Sequence, residues 1–120
     1  MGSPHDAPSA EQLVEAVREW LEREVMPVVE GRLRFHTRVA ANVLAIVERE
    51  LALGPAQAIA HAERLASLGV ADETELAERI RSGELDGRMD EVKAVVFATV
   101  RDKLAVANPR YLQRRAANKA

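Results

Sequence analysis

The segment 32–53 carries the strongest helical pattern in the chain and most constrains its fold. At 100° per residue, its large apolar side chains cover about half of the helix circumference. We expect so wide an apolar arc to be covered by other helices, which makes this helix central. The apolar residues of the arc are Leu33, Val39, Val43, Leu44, Ile46, Val47 and Leu51.

Capping and helix-breaking residues predict the helices on either side. Ser9 and Gln12 form a capping-box pattern, so a first helix starts at Ser9 and is ended or kinked by Pro27. The dipeptide Gly54-Pro55 predicts the end of the central helix and the start of a third helix over about 55–68, which Gly69 closes.

The second half of the chain continues the helical pattern. Asp72 with Glu75 predicts the start of a short fourth helix. A last helix is expected over about 90–107, and Asn108-Pro109 ends it because proline disfavours a helical residue before it. No window alternates with period two. The sequence therefore predicts an all-α fold, an antiparallel bundle of about five helices.

Length and composition are those of one globular domain. The chain has 120 residues, of which 48% are hydrophobic and 30% charged, and aromatic residues make up only 3%. We expect a disordered N-terminal segment over 1–8, a single helical domain over 9–112 and a basic C-terminal tail over 113–120.

Charge is unevenly distributed along the chain. The net charge is −2, but the segments 1–30 and 54–87 are acidic, whereas 31–53 and 88–120 are basic. Such alternation favours antiparallel neighbours, and the small net charge predicts no nucleic-acid or membrane partner. A helix-turn-helix at 55–83 is the least favoured alternative, because that segment is acidic.

Three features of the sequence predict a cytoplasmic location. Cysteine is absent, which fits a reducing compartment. The longest apolar run, 94–100, is far shorter than the roughly 18 residues of a membrane span. Residues 1–10 contain no apolar segment of the kind found in signal peptides.

No pattern typical of catalysis is present. Gly83 and Gly87 lack the flanking residues of a phosphate-binding loop. His5, His36 and His61 do not have the spacing of metal ligands. We therefore predict no catalytic residue, cofactor or metal site, and an enzyme is the less favoured class.

Three ionisable residues fall on predicted apolar faces: Glu24, His36 and Lys103. In the simpler interpretation, Glu24 and Lys103 reach water near helix ends and His36 is a neutral core residue. In the alternative, Glu24, His36 and Lys103 form one buried network with Asn42 at its rim. Such a network would shape a ligand pocket between helices.

A second candidate site is a partner surface that combines arginines of the central helix with the segment Asn108–Tyr111. Its arginines are interrupted by Ala41 and Ala45, and small residues admit a partner helix. The simpler interpretation is a solvated face, with the Asn108–Tyr111 segment a helix stop that has a packed tyrosine. The candidate surface comprises Arg34, Arg38, Arg49, Arg110 and Tyr111.

The segments from Arg32 to Leu51 and from Lys103 to Leu112 resemble a family of small bacterial all-helical domains of unknown function, DUF6285. The resemblance covers about 12–112. It implies a helical fold and a phosphotransferase-like partner of the aminoglycoside-kinase type, encoded beside the domain and often near acyl-CoA dehydrogenases. It implies no catalytic residue.

Two functional hypotheses follow. The first is an interaction or accessory domain that assists a phosphotransferase-like partner or self-associates, as a two-fold homodimer formed through helices. The alternative is a small-molecule-binding protein or enzyme that uses the inter-helix polar cluster around His36.

Overall fold

The computed structural model describes residues 7–119, which form five α-helices and no strand. This confirms the predicted all-α fold. None of these helices combines the length and apolar character needed to cross a membrane. The helices are α1 (Ala10–Trp20), α2 (Gly31–Ser67), α3 (Glu73–Ser82), α4 (Met89–Ala107) and α5 (Pro109–Lys119), with a π-helical turn at Leu21–Val25 and 3₁₀ turns at Met26–Val28 and Asp86–Arg88.

Side-chain caps start two of the helices where the sequence predicts them. The Gln12 N–H donates to Ser9 Oγ at 3.1 Å, and the Ser9 N–H donates to Gln12 Oε1 at 2.8 Å. Asp72 accepts a hydrogen bond from the Glu75 N–H at 2.8 Å. Each cap satisfies a backbone donor that the first helical turn leaves without a partner, so the predicted starts of α1 and α3 are confirmed.

Gly69 closes α2, also as predicted. Its φ of +75° lies in the left-handed region that favours glycine. The Val70 N–H then donates to the Leu65 carbonyl at 3.1 Å, and the Gly69 N–H donates to Ala66 at 2.9 Å. This pair of bonds is the Schellman arrangement, which satisfies the last carbonyls of a helix.

The predicted helix break at Gly54-Pro55 is wrong, because α2 continues through Pro55. Proline has no N–H, so the carbonyl of Leu51 loses its usual helical donor, but the fixed φ of proline is itself helical. The dipeptide instead marks a boundary between two compact units. The N-terminal unit ends at Leu53, and the C-terminal unit begins at Gly54.

The ends of the chain add detail to the predicted organisation. Most of the predicted disordered segment 1–8 lies outside the described residues. The predicted limit between domain and tail, at residue 112, lies within α5. Asn108 ends α4 as predicted and also caps α5, since its side-chain oxygen accepts from the Tyr111 N–H at 3.2 Å.

The two units differ in how much they bury. Among the described residues of the N-terminal unit, only Thr37 and Ala41 are buried. The C-terminal unit has an aliphatic core against which Ile80 and Met89 pack. That core consists of Leu65, Leu68, Val70, Leu76, Leu85, Val92 and Val95.

In the N-terminal unit, Arg18 joins α1 to α2. Its guanidinium donates two hydrogen bonds to Glu48, one of them from Nη2 to Oε1 at 3.2 Å, and a third to Glu22 at 2.8 Å. The hydrogen bond to Glu48 is the main reason that the pKa of Arg18 is raised above its ordinary value. The ion pair therefore keeps Arg18 charged and directed at α2.

Arg88 makes a similar pair at the start of α4, where it donates to Glu91. This hydrogen bond lowers the pKa of Glu91 below its ordinary value. The pair therefore stabilises the fold above the ordinary carboxyl pKa, and that contribution is lost as the pH falls through the lowered one. We expect Arg88→Gln to raise the pKa of Glu91, as an NMR titration of the side-chain carboxyl would measure. An unchanged titration curve would contradict the pairing.

Candidate functional site

A cleft of about 730 Å³ opens in the C-terminal unit, between the last part of α2, the start of α3 and the second half of α4. Residues three and four apart share a helix face, so polar side chains at this spacing line the cleft together. The polar lining includes Gln57 and His61 from α2, Glu73 from α3, and Thr99, Asp102 and Lys103 from α4. Ala58, Ala62 and Leu65 provide apolar surface.

His61 lies at the centre of this polar lining and contacts two other helices. Its Nδ1 is 3.2 Å from Thr99 Oγ1, and its Nε2 is 3.4 Å from Glu73 Oε1. The Thr99 hydroxyl also donates to the Val95 carbonyl of its own helix at 3.0 Å. His61 thereby links α2 to both α3 and α4.

A second set of contacts also joins α2 to α4. Arg64 Nη2 is 2.8 Å from Asp102 Oδ2, and the Gln57 side-chain amide donates to the Asp102 backbone carbonyl at 3.1 Å. Arg64 Nε is buried with no hydrogen-bond partner in the described part of the chain. These contacts fix the separation of the two helices that form the cleft walls.

A smaller cavity of about 250 Å³ shares part of this lining. Four residues line both cavities: His61, Glu73, Thr99 and Lys103. The remaining walls of the smaller cavity are apolar side chains of α3 and α4. They are Leu76, Ala77, Ile80, Val96 and Val100.

The predicted polar network is not buried. Glu24, His36, Asn42 and Lys103 all have exposed side chains, so the expected core position of His36 is wrong, whereas Glu24 and Lys103 reach water as in the simpler interpretation. His36 Nε2 accepts a hydrogen bond from Arg32 Nε at 3.3 Å. Lys103 belongs to the C-terminal unit, where it lines the cleft. The helical pattern correctly showed which faces are apolar, but those faces are open to solvent. A ligand role for these four residues stays a prediction.

The small residues of the predicted partner surface lie inside the N-terminal unit. Ala41 is buried and Ala45 half-buried, so they do not present an open surface. Their small side chains allow helices to approach closely. Arg38 is exposed, Arg34 donates to the Met26 carbonyl at 3.4 Å, and Arg49 is half-buried.

The other two predicted partner residues lie in the first turn of α5. Arg110 and Tyr111 both have exposed side chains, so Tyr111 is not packed into a core. A docking role for these residues and for the arginines stays a prediction.

Two exposed apolar stripes run along the helices of the N-terminal unit. On α1, Leu13, Val17 and Trp20 follow each other at helical spacing, and the Trp20 side chain is 53% exposed. On α2, Phe35, Val39 and Val43 do the same. Among the described residues of the N-terminal unit, α2 fully buries only Thr37 and Ala41, and its side chains Leu44, Ile46 and Val47 are half-buried. The stripe residues are therefore more exposed than their smaller neighbours Thr37 and Ala41.

Sequence reasoning missed the polar lining of the cleft apart from Lys103. The signal was present as polar residues at helical spacing, with Gln57, His61 and Arg64 on one face of α2. It was not recognisable as a site, because its partners Glu73 and Thr99 come from separate helices. Among the described residues, no group of three or more acidic, histidine or cysteine side chains is placed to hold a metal ion.

The family model described as a domain of unknown function, DUF6285, matches residues 27–111. Comparison with curated proteins and with solved structures finds no match. The match covers all of α2, α3 and α4, and therefore all the residues that line the cleft.

Proposed function

The chain belongs to the DUF6285 family of domains of unknown function, and we propose that it is a non-catalytic interaction domain whose N-terminal unit pairs with a second copy of itself. The observation that carries this proposal is the exposure of large apolar side chains on the part of α2 that lies in the N-terminal unit. Phe35, Val39 and Val43 are exposed, whereas Thr37 and Ala41 are buried. Large exposed apolar patches are typical of protein interaction sites.

Charge complementarity supports a second copy as the occupant. Residues 1–30 carry seven acidic and two basic side chains, whereas residues 31–53 carry four basic and two acidic ones. In a two-fold dimer the acidic α1 of one chain can face the basic part of α2 of its partner, and the same contact then occurs twice. The pairing buries the apolar stripes and places opposite charges at their rims.

The proposal is tested by measuring the molar mass of the chain with light scattering at about 100 µM, a concentration at which a stable helical interface persists. We expect a dimer for the natural chain and a monomer for Val39→Glu, because the new carboxylate would be buried without a partner. Ile59→Glu is the matched control, since Ile59 is also apolar and exposed on α2 but lies in the C-terminal unit.

A natural chain of monomer mass would contradict self-association. The alternative occupant of the same stripes is the phosphotransferase-like protein that the family resemblance implies, for which the chain would be an accessory subunit. This alternative would be established if the chain alone is a monomer, forms a one-to-one complex with that protein, and no longer forms the complex as Val39→Glu. Loss of dimer in both Val39→Glu and Ile59→Glu would also contradict the proposed surface.

A further inference from the structure

The two cavities of the C-terminal unit meet at a polar junction. His61, Glu73, Thr99 and Lys103 line both of them, while the smaller cavity is otherwise apolar. A molecule bound there would place its polar groups at the junction and an apolar part between α3 and α4. Pockets with mainly apolar walls and a few convergent polar groups are the usual form of small-molecule sites.

The four shared residues include one carboxylate, that of Glu73, and one ammonium, that of Lys103. The Glu73 carboxylate lies beside His61, whose Nε2 is 3.4 Å from Glu73 Oε1. Lys103 forms no ion pair within the described residues, and in particular none with Glu73. We propose that this junction binds a zwitterionic amino acid with an apolar side chain, its carboxylate on Lys103 and its ammonium on Glu73. This site is independent of the proposed self-association.

A zwitterion fits the two charges better than an ion of one sign. An anion on Lys103 alone would be close to the Glu73 carboxylate, and a cation on Glu73 alone would be close to the Lys103 ammonium. Like charges placed together oppose binding, whereas paired charges compensate for the water that each of them loses. A ligand with both charges therefore satisfies both residues at once.

The size of the apolar cavity limits the rest of the ligand. Its volume of about 250 Å³ lies below the roughly 300–1,000 Å³ of pockets that enclose drug-sized molecules. That volume suits one apolar side chain. Apart from the four residues of the junction, its walls, which include Leu76, Ile80 and Val96, offer no polar side chain to pair with a polar side chain of the ligand. We therefore assign the ligand to the class of leucine and phenylalanine.

The proposal is tested by titrating the full chain with three probes and following the amide signals of α3 and α4 by NMR. The probes are L-leucine, 4-methylpentanoate, which lacks the ammonium group, and 3-methylbutylamine, which lacks the carboxylate. We expect L-leucine to bind, and each singly charged analogue to bind at least about tenfold more weakly, because a charge-assisted contact is lost. An analogue that binds as tightly as L-leucine would overturn the zwitterion assignment.

Variants then locate the two contacts. Lys103→Met should weaken L-leucine binding about tenfold, so that L-leucine no longer binds more tightly than 3-methylbutylamine. In Glu73→Gln, L-leucine should no longer bind more tightly than 4-methylpentanoate. Lys93→Met is the matched control, since Lys93 is exposed on α4 and does not line either cavity. The ratio between probes is informative even if a variant is partly unfolded, because unfolding weakens all probes equally.

Three results would overturn the site. The first is the absence of any shift with L-leucine or L-phenylalanine up to about 10 mM, the weak limit of specific small-ligand binding. The second is equal weakening by Lys93→Met and Lys103→Met. The third is an unchanged ratio of L-leucine to 3-methylbutylamine affinity in Lys103→Met.

Discussion

Replacing Leu68 by alanine is expected to lower the free energy of unfolding of the C-terminal unit by about 3–5 kcal/mol. The Leu68 side chain is only 2% exposed and lies within the aliphatic core. Truncation removes buried apolar surface and leaves a cavity that the surrounding helices fill only in part. Urea denaturation followed by the amide NMR signals of α3 and α4 would measure the loss.

The matched control is Ile59→Ala, which removes a branched apolar side chain of the same unit. Ile59 is 64% exposed, so its truncation should change the free energy of unfolding by no more than about 0.5 kcal/mol. Equal effects of Leu68→Ala and Ile59→Ala would mean that the described core does not stabilise the unit.

Replacing Arg18 by methionine is expected to destabilise the N-terminal unit by about 1–3 kcal/mol. Arg18 and Glu48 are both mostly buried side chains, with 22% and 14% of their surface exposed. The substitution leaves Glu48 without its charged partner, and this unit has little buried apolar surface to compensate. Amide hydrogen exchange in α1 and the fluorescence of Trp20 would report the loss locally.

A double-mutant cycle separates the ion pair from simple packing. Glu48→Gln removes the other charge, and in the double variant Arg18→Met with Glu48→Gln no charge is left without a partner. We expect the double variant to be more stable than Arg18→Met alone. Arg23→Met is a surface control, since its pair with Glu19 is largely exposed. Additive effects of the two substitutions would show that Arg18 and Glu48 are not coupled.

Local signals in the sequence were sufficient for the fold class and for most helix ends. The Ser9–Gln12 capping box, the Asp72 cap and Gly69 act through hydrogen bonds within a few residues, so spacing alone identifies them. Asn108 predicted the end of α4, but its second role as the cap of α5 was not recognised from the sequence. A capping residue followed by proline is typical of a helix start as well.

Burial and the course of α2 were not predictable in the same way. Helical periodicity shows which face of a helix is apolar, but not whether another element covers it. His36 was therefore expected in a core and is exposed. Pro55 has a φ that suits both a helix start and a helix interior, so local geometry alone does not distinguish the two.

The candidate site depended on tertiary structure throughout. His61, Glu73 and Thr99 come from three helices, and only their packing brings the imidazole between a carboxylate and a hydroxyl. Lys103 was identified from its position on an apolar face, but its expected partners lie in the N-terminal unit. A single sequence holds no record of which helix faces another, which is why the cleft was missed.

The core of the C-terminal unit is assembled from the short segment 65–95. Closing short loops costs little chain entropy, and domains with mostly local contacts fold within microseconds to milliseconds. The N-terminal unit is synthesised first, however, and its apolar stripes are exposed. If the stripes pair as proposed, the slow step in the biogenesis of this protein is the encounter of two chains, and its rate rises with their concentration.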